Sequence, residues 1–259
     1  MSNSRIIILG SSSGMPSAQR SCSFFVLETE SGNYLFDAGE GTSSSILRHK
    51  VDHKKMSTIF ITHTHSDHLI GLFLLIQMMH LVRRKEKLDI YLPEEAISPV
   101  GRFLNTLYLF PEKLSFDLDF FRIREGLFFE DKKLKVKAFL NSHLKDNQKI
   151  IEGKMLKNRL ESFCFEISLN NKKIIYSGDV GGLNDLAPIL SDAEVLITEC
   201  MHLDLFELLN LVKRHNIGST VFTHIPSELE KYKEKIINQA KILRIKKFAF
   251  AYDGSIIRV

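Results

Sequence analysis

The sequence predicts an α/β protein in which two mixed sheets pack together with helices outside, as a single domain over residues 1–259. Three observations predict this class. Short runs rich in β-branched and aromatic residues outnumber helical runs, and both kinds occur throughout the chain. Hairpin signals, "ETESGNYLF" early in the chain and "LNNKKI" later, each accompany alternating strand and helix segments. No repeat or low-complexity linker separates the two halves.

The predicted strands are bounded by Gly, Asn, Asp or Lys. They are Arg5–Leu9, Cys22–Thr29, Tyr34–Asp37, Thr58–Thr62, Leu88–Leu92, Leu134–Leu140, Ser162–Leu169, Lys173–Ser177, Glu194–Thr198, Ser219–Thr223 and Lys246–Tyr252. The predicted helices are Thr42–His49, His68–Arg83, Ser98–Phe110, Leu183–Leu190, Leu203–His215 and Ser227–Leu243. The longest apolar stretch, Leu69–Val82, is too short for a membrane span and contains Gln77 and His80, so it indicates a buried helix.

The composition is that of a soluble globular protein, with 44% hydrophobic and 25% charged residues. A chain of 259 residues can fold without disulfide or metal staples, so we expect any bound metal to serve chemistry. The net charge of +4 is too mild to indicate nucleic-acid binding by itself. Three widely spaced cysteines indicate neither a disulfide framework nor a zinc knuckle. Since the opening residues are also too short an apolar run for a secretory leader, we expect a cytoplasmic protein without a membrane partner.

The apolar stretch Phe103–Phe121 has two interpretations. The simpler one is a core helix followed by a strand. The other is a cap over the active site or a contact between two copies in a homodimer, because large exposed apolar patches mark interfaces.

The segment "TIFITHTHSDHLIG" carries the clearest functional signal. "TIFIT" has the nearly continuous apolar character of a buried strand. Side chains alternate along an extended chain, so His63 and His65 share one side. Asp67 and His68 stand at the start of the next helix, where a turn can aim them at the same point. Two pairs of ligands can therefore face two adjacent ions, and imidazole with carboxylate suits zinc, iron or manganese. Three histidines within six residues are not expected by chance in a chain with ten.

The HxHxDH pattern after an apolar strand resembles the signature of the metallo-β-lactamase fold, a four-layer αβ/βα sandwich. That family completes two metal sites with residues from later strand ends. His143, Asp179 and His224 stand in the expected order after strand-like runs. Asp37 in "YLFDAGEGT" matches the family's aspartate that orients the histidine ligands. The resemblance extends from Ile8 to Ile257.

The resemblance implies two divalent metal ions, zinc first, with manganese or iron as alternatives. It implies that one ion is bound by His63, His65 and His143. It implies that the other is bound by Asp67, His68 and His224. Asp179 would bridge the two ions.

Three further segments resemble the ribonuclease Z branch and its phosphodiesterase relatives. They are the opening loop "ILGSSSGMPSAQR", the aspartate motif "FDAGEGT" and the closing motif "AYDG". In the opening loop, hydroxyls and a guanidinium suit contact with phosphate. The candidates are Ser11, Ser12, Ser13 and Arg20. The alternative for "SSSG" is a flexible turn without a binding role.

The sequence departs from that branch in the parts that handle tRNA. Only 35 residues separate His143 from Asp179, too few for the inserted arm that grips tRNA. The branch also has a histidine before the glutamate of its "HEAT" motif, where this chain has Thr198 before Glu199. The segment after His224 lacks the branch's Ser-Arg-Tyr run. These departures favour a hydrolase of smaller or different phosphodiesters over a tRNA 3′-processing enzyme.

The expected mechanism is attack on a phosphodiester by a metal-bound hydroxide. Asp67 would orient the attacking group or accept its proton, and His202 would protonate the leaving oxygen. Glu199 would position the groups that contact the substrate or the ions. The alternative for His202 is an ordinary histidine at a helix N-terminus.

Other activities remain open at this stage. One is tRNA 3′ processing, and another is hydrolysis of a thioester, lactone or lactam by the same metals. A metal-binding or RNA-binding scaffold without turnover is disfavoured because every ligand position is filled. The expected partner is a phosphodiester substrate, either a small molecule or RNA, and a homodimer is compatible with the sequence.

Overall fold

The computed structural model describes residues 4–245 and 247–259. The predicted strand Lys246–Tyr252 therefore begins at a residue outside the described ones. The fourteen strands in the described part, β1 to β14 in chain order, are Arg5–Gly10, Phe24–Thr29, Gly32–Phe36, Met56–Phe60, Leu88–Leu92, Leu118–Arg122, Gly126–Glu130, Leu134–Leu140, Phe163–Leu169, Lys172–Tyr176, Val195–Thr198, Ser219–Phe222, Phe248–Phe250 and Ser255–Arg258. The helices there, α1 to α8, are Thr42–Arg48, Ser66–Leu69, Gly71–Leu81, Glu94–Thr106, Gln148–Gly153, Leu183–Leu186, Leu205–Arg214 and Lys233–Ile242.

The chain divides into two compact units. The first contains the chain up to Ile123 together with Tyr252–Val259, and the second contains Arg124–Ala251. Each unit is built on one seven-stranded sheet. The expectation of a single domain over residues 1–259 stays a prediction.

The sheet of the first unit has the order β14-β1-β2-β3-β4-β5-β6. The pairs from β14 to β3 are antiparallel, whereas β3, β4, β5 and β6 run parallel. Its core is a continuous apolar cluster that includes Leu35 and Ile59 from the sheet and Leu72 and Leu75 from α3. The helix α3 therefore buries one face as predicted, while Leu74 on its other face is 56% exposed.

The sheet of the second unit repeats this pattern, with the order β13-β12-β11-β10-β9-β8-β7. Here β10, β11, β12 and β13 run parallel, and the pairs from β10 to β7 are antiparallel. Its core joins Ile175 and Leu196 of the sheet to Leu208 and Leu209 of α7. Each sheet thus has one antiparallel part and one parallel part, and the two sheets correspond to the two halves that the sequence predicts.

Three strands were not predicted from the sequence, and each of them is an edge strand of its sheet. They are β6, β7 and β14. Every residue of these strands is partly or fully exposed. Charged residues interrupt their apolar pattern, as is common in edge strands, so the propensity signal is weak.

Two helices differ from their predicted bounds for identifiable reasons. The run His68–Arg83 is divided at Ile70 into α2 and α3. The helix α4 begins four residues before the predicted Ser98, because Pro99 lies inside the helix instead of in its first turn. The stretch Phe103–Phe121 contains the end of α4 and most of β6, but Phe103 and Phe121 are exposed, so the alternative of a contact surface stays open.

Within the described residues, none of the helices has the length and apolar character required to span a bilayer. The three cysteines are buried and form no disulfide. Burial is the main cause that raises the pKa of Cys22 to about 11 and that of Cys164 to about 12, so both thiols stay protonated at neutral pH.

Candidate functional site

The strand ends of the first unit place its ligand-type residues. Asp37 follows β3 directly, and His63 comes three residues after β4 ends. Because β3 and β4 are parallel, both residues lie at the same edge of the sheet, where ligands of α/β proteins commonly bind. The helix α2 then begins at Ser66 and carries Asp67 and His68. A turn of four residues thus brings the rest of the HTHSDH motif back to the strand end.

The three imidazoles of the motif form one cluster. The ring centroids of His63 and His65 are 4.8 Å apart, and those of His63 and His68 are 4.3 Å apart. Asp67 Oδ2 lies 3.6 Å from His68 Nε2. His63 and His68 are buried, whereas His65 is exposed. The four side chains that the sequence singled out in this unit are therefore neighbours.

Asp37 is fully buried beneath this cluster. Its Oδ2 atom accepts a hydrogen bond from His68 Nδ1 at 2.8 Å, and its Oδ1 atom accepts one from the backbone N–H of Thr62 at 2.7 Å. The Thr62 hydroxyl contacts both Asp37 oxygens and lies 3.0 Å from His63 Nδ1. With the proton on Nδ1 in both rings, each Nε2 presents a lone pair, which is the tautomer that a metal requires.

Backbone strain accompanies this arrangement. Asp37 has a φ of 60°, in the left-handed region that residues other than glycine rarely adopt. His224 in the second unit has a φ of 50°. Such conformations cost about 1–3 kcal/mol and cluster at functional sites, where the surrounding contacts hold them in place.

The opening loop lies beside Asp67. A Cβ atom built on Gly14 would be 3.4 Å from Asp67 Oδ2, so the loop passes close to this carboxylate. Asp253 of the closing motif fixes the loop by accepting hydrogen bonds from the N–H and hydroxyl of Ser11 and from the N–H of Ser21. Arg20 donates to the Ser11 hydroxyl at 2.7 Å and stacks 4.3 Å over the Tyr252 ring.

These contacts bear on the predicted phosphate-binding residues. Ser11, Ser12 and Ser13 are buried, and Arg20 is half-buried. The Ser11 hydroxyl bonds Asp253, and the Ser12 hydroxyl donates to the carbonyl of Met15 at 2.7 Å. The segment is therefore a fixed loop and not a flexible turn.

The second unit places its ligand-type residues at the ends of strands that point the same way. His143 follows β8, Asp179 follows β10, Glu199 follows β11 and His224 follows β12. The strands β10, β11 and β12 are parallel to one another, and β8 shares their direction through two antiparallel pairings. All four residues consequently lie at one edge of this sheet.

Asp179 lies between two imidazoles. Its Oδ2 atom is 3.4 Å from His224 Nε2 and 3.7 Å from His143 Nε2. These distances are long for hydrogen bonds. The distances fit ligand atoms bound to one ion, because two atoms that each lie about 2.0–2.1 Å from a tetrahedral zinc are roughly 3.4 Å from each other. In the first unit the ligand atoms of His63 and His65 lie within 4.8 Å of each other, and in the second unit those of Asp179 lie within 4.8 Å of both His143 and His224, close enough for each pair to bind one ion. The donor set therefore suits a transition metal.

Two residues that the sequence analysis missed hold these loops. Asn141 donates to the backbone carbonyl of Asp179 at 3.0 Å and accepts from the N–H of His143 at 3.0 Å, so it ties the two ligand-bearing loops together. Asp185 accepts hydrogen bonds from the N–H and hydroxyl of Ser142 and from the N–H of Gly181. The signal for Asn141 was its position two residues before a candidate ligand at a strand end.

Glu199 and His202 form a pair beside this set. Glu199 is 1% exposed and accepts hydrogen bonds from the N–H groups of Val180, Met201 and His202. Its two carboxylate oxygens lie 3.1 and 3.0 Å from His202 Nδ1. The His202 ring is 4.8 Å from the His143 ring and about a third exposed. His202 precedes α7, whose N-cap is Asp204, so the helix itself does not require a histidine there.

Relatives and solved structures identify the fold and the branch. A protein named Ribonuclease Z from Archaeoglobus fulgidus is 25% identical and is matched over 92% of each chain. Another Ribonuclease Z, from Prochlorococcus marinus, is 35% identical, but the match covers only 53% of this chain and 46% of that one. The chain thus spans about half the length of some curated relatives and nearly all of others.

Among solved structures, the metallo-β-lactamase fold protein YhfI from Bacillus subtilis has a TM-score of 0.79 at 16% identity, covering 99% of this chain and 100% of that one. The short form of human tRNase Z has a TM-score of 0.74 at 22% identity, covering 98% and 99%. The predicted α/β metallo-β-lactamase fold and its ribonuclease Z-like character are confirmed. A family model described as "Anti-Pycsar protein Apyc1" matches residues 4–240.

Proposed function

The chain belongs to the family described as Anti-Pycsar protein Apyc1, and from this premise we propose that it is a dinuclear metal-dependent hydrolase of small phosphodiesters. The observation that carries the proposal is the position of Asp179 Oδ2, between the Nε2 atoms of His224 and His143. A shared cation would make that spacing favourable, since the distances are long for hydrogen bonds and the buried carboxylate would otherwise lack a full counter-charge.

We assign the ligands as the resemblance implies. His63, His65 and His143 would hold one ion. Asp67, His68 and His224 would hold the other, and Asp179 would be a ligand that they share. Zinc suits this mixture of imidazole and carboxylate, with manganese or iron as alternatives. When bound, such ions lower the pKa of water and offset the negative charge that grows on a phosphodiester during hydrolysis.

The chain's own groups supply the proton transfers. Asp67 is half-buried beside the opening loop, where its carboxylate orients the attacking water and accepts a proton. His202 donates a proton to the leaving oxygen. Glu199 holds His202 Nδ1, so that Nε2 faces away from this carboxylate and can carry a proton towards the substrate. His202 thereby takes the role of the histidine that the "HEAT" position lacks.

The opening loop contributes to substrate binding in a restricted way. Since the hydroxyls of Ser11 and Ser12 already bond protein groups, these two residues shape the loop. Arg20 likewise donates to Ser11, and Ser13 is buried. The half-buried Arg20 guanidinium is the phosphate contact that we assign to this loop, because a guanidinium is a strong partner for an anion.

The size of the substrate follows from the segment after His143. Before β9 begins at Phe163, this part of the chain has one 3₁₀ turn and the six-residue helix α5. No arm of the kind that grips tRNA is present among these described residues. This short segment offers no extended surface for a folded RNA.

The test is activity profiling of the protein reconstituted with zinc or manganese. The panel contains bis-p-nitrophenyl phosphate, 3′,5′-cyclic nucleotides, pre-tRNA with a 3′ trailer, a thioester and a lactone. We expect turnover of the small phosphodiesters and little cleavage of the pre-tRNA. Turnover confined to the thioester or the lactone would contradict the proposal.

A second candidate function is tRNA 3′ processing. It is favoured by the relatives named Ribonuclease Z, two of which are matched over 92% of their length. In that case the same panel shows the pre-tRNA cleaved with the highest kcat/KM at the trailer junction.

We also propose a homodimer through one apolar surface of the first unit, called here the α3/α4 face. Its side chains are between 41% and 68% exposed and comprise Ile70, Leu74, Leu81, Phe103 and Leu107. The Phe73 and Phe103 rings meet edge to face with centroids 4.7 Å apart, so the two helices are in contact along this surface. An uncharged face of this kind fits a second copy of itself. Light scattering should show a dimer that Leu74→Glu converts to a monomer, and a monomeric unmodified protein at high concentration would contradict the assignment.

A further inference from the structure

A groove in the second unit begins at His202. A cavity of about 260 Å³ is lined by Gly182, Leu183, Asn184, His202, Asp204 and Glu207. It adjoins a second cavity of about 360 Å³, which shares Leu183, Asn184 and Glu207 and extends along α7 to Asn210 and Arg214. We call the two together the His202 groove. Neither the ligand set nor the opening loop of the proposed mechanism uses it.

We propose that the His202 groove binds the leaving group of the phosphodiester. This inference rests on the proposed function, in which His202 gives its proton to the leaving oxygen. A proton donor must lie within hydrogen-bond reach of that oxygen. The group attached to the oxygen therefore departs on the side of His202, where the groove opens. The His202 ring is close to His143 and partly exposed, so it lies at the boundary between the ligand set and the groove.

The charges at the near end of the groove define the leaving group. The carboxylates of Asp204 and Glu207 both line it there. Asp204 is held in place because it accepts hydrogen bonds from the N–H groups of Phe206 and Glu207. The fixed carboxylate of Asp204 and the exposed one of Glu207 repel a second phosphate but accept hydrogen bonds from hydroxyl and amino groups. Asn184 adds an amide that can donate and accept. Arg214, the cation of the groove, lies at its far end. The near end beside His202 therefore suits an uncharged polar group such as a nucleoside and disfavours one that carries a further phosphate there.

Gly182 offers a way to alter the groove without disturbing the fold. Its φ of 165° is extended backbone that any residue adopts, and a Cβ atom there would meet nothing within 4 Å. Its neighbour Gly181 differs, since a Cβ atom at that position would lie 2.2 Å from the Ser142 hydroxyl. A larger side chain at Gly182 can therefore occupy space at the edge of the cavity. Gly153 at the end of α5 is also open to a Cβ atom and lies outside the groove, so it provides the matched control.

The experiment measures kcat/KM of the zinc- or manganese-loaded protein for two substrates. One is a dinucleoside monophosphate, whose leaving nucleoside is uncharged, and the other is the same compound with a terminal phosphate on that nucleoside. We expect Gly182→Leu to lower kcat/KM for the first substrate at least about tenfold, while Gly153→Leu leaves it unchanged.

A charge reversal gives a second, independent readout. Glu207→Lys should raise kcat/KM for the phosphate-bearing substrate by about tenfold relative to the uncharged one, because it replaces repulsion by attraction. Glu152→Lys, at an exposed position on α5, makes the same change in net charge and should leave the ratio unaltered. Far-UV circular dichroism shows whether Gly182→Leu is folded. If that variant does not fold, the substrate ratio of Glu207→Lys still tests the groove assignment.

The possible outcomes distinguish a failure of the groove assignment from a failure of the proposed function. Hydrolysis by the unmodified protein, with the same substrate ratio in Glu207→Lys and Glu152→Lys, overturns the groove assignment and leaves the proposed function intact. If the metal-loaded protein hydrolyses none of the phosphodiesters, the proposed function fails and the groove assignment fails with it.

Discussion

The first unit carries four ligand-type residues in a stretch of six, from His63 to His68, whereas the second unit collects three from positions 81 residues apart, His143 to His224. In the first unit one strand end and one helical turn fix the cluster, so local backbone geometry determines it. In the second unit the order and direction of β8, β10 and β12 bring the ligands together. One half of the chemistry thus depends on a local motif, and the other half depends on a correctly assembled sheet.

The largest expected effects come from replacing His65, which would bind one ion, and Asp179, which would bind both. His65→Ala should lower phosphodiesterase activity by about 10³-fold or more, because each bound ion supplies several kcal/mol of transition-state stabilisation. Asp179→Ala should lower it at least as much. The two variants should differ in zinc content, with about one ion retained in His65→Ala and less in Asp179→Ala.

The control for both variants is the melting temperature of the metal-free protein. It should stay within a few degrees of the unmodified protein, because the apolar cores of both units are independent of an ion. Full activity of His65→Ala with zinc or manganese would exclude the ligand assignment in the first unit.

The next effect concerns His202 in the second unit. His202→Ala should slow the release of an alkoxide such as a nucleoside hydroxyl by about 10²-fold or more, since that oxygen needs a proton. The release of p-nitrophenolate, which leaves without a proton, should change little. Rates for the two leaving groups are compared in one assay, with His215→Ala at the end of α7 as the control. Equal losses for both leaving groups would assign His202 a role other than proton donation.

A smaller effect is expected from residues that position ligands. Asp37→Asn in the first unit weakens the hold on His68, and Asn141→Ala in the second unit unties the loops of His143 and Asp179. Each should weaken metal binding by about 10–100-fold. Competition with a chelator measures this, and excess zinc should restore activity. Activity losses that excess zinc does not reverse would indicate a direct part in the reaction.

The candidate ligands of the first unit could be predicted from a local pattern, whereas those of the second unit could not. A buried strand followed by HTHSDH is a local pattern, and its residues prove to be neighbours as expected. His143, Asp179 and His224 are individually ordinary strand-end residues, so only the family resemblance selected them. Asn141 and Asp185 were missed because each has a partner far along the chain, which leaves no local pattern: Asn141 donates to Asp179, and Asp185 accepts from Ser142.

Three of the four edge strands were missed for a different reason. Burial on both faces makes a central strand such as β1 nearly continuous in apolar residues, whereas β14 at the edge has no buried position. The role of Asp253 was equally hidden, although "AYDG" was noticed, because its partners in the opening loop are 232 and 242 residues away.

The smallest expected effect concerns that closing motif. Gly254 has a φ of 94°, and a Cβ atom there would lie 2.6 Å from the His49 ring. Gly254→Ala should therefore destabilise the protein by about 1–3 kcal/mol. Gly101 inside α4 meets nothing within 4 Å, so Gly101→Ala should stabilise by about 0.5–1 kcal/mol. Urea unfolding measures both, and equal shifts for the two variants would contradict a strained glycine at the closing motif.

The most direct test of the central claim is the zinc content of the reconstituted protein by elemental analysis. The ligand residues of both units are proposed to act together on two ions. We therefore expect about two zinc ions per chain after removal of loosely bound metal. A protein that folds normally and retains no zinc would contradict the claim.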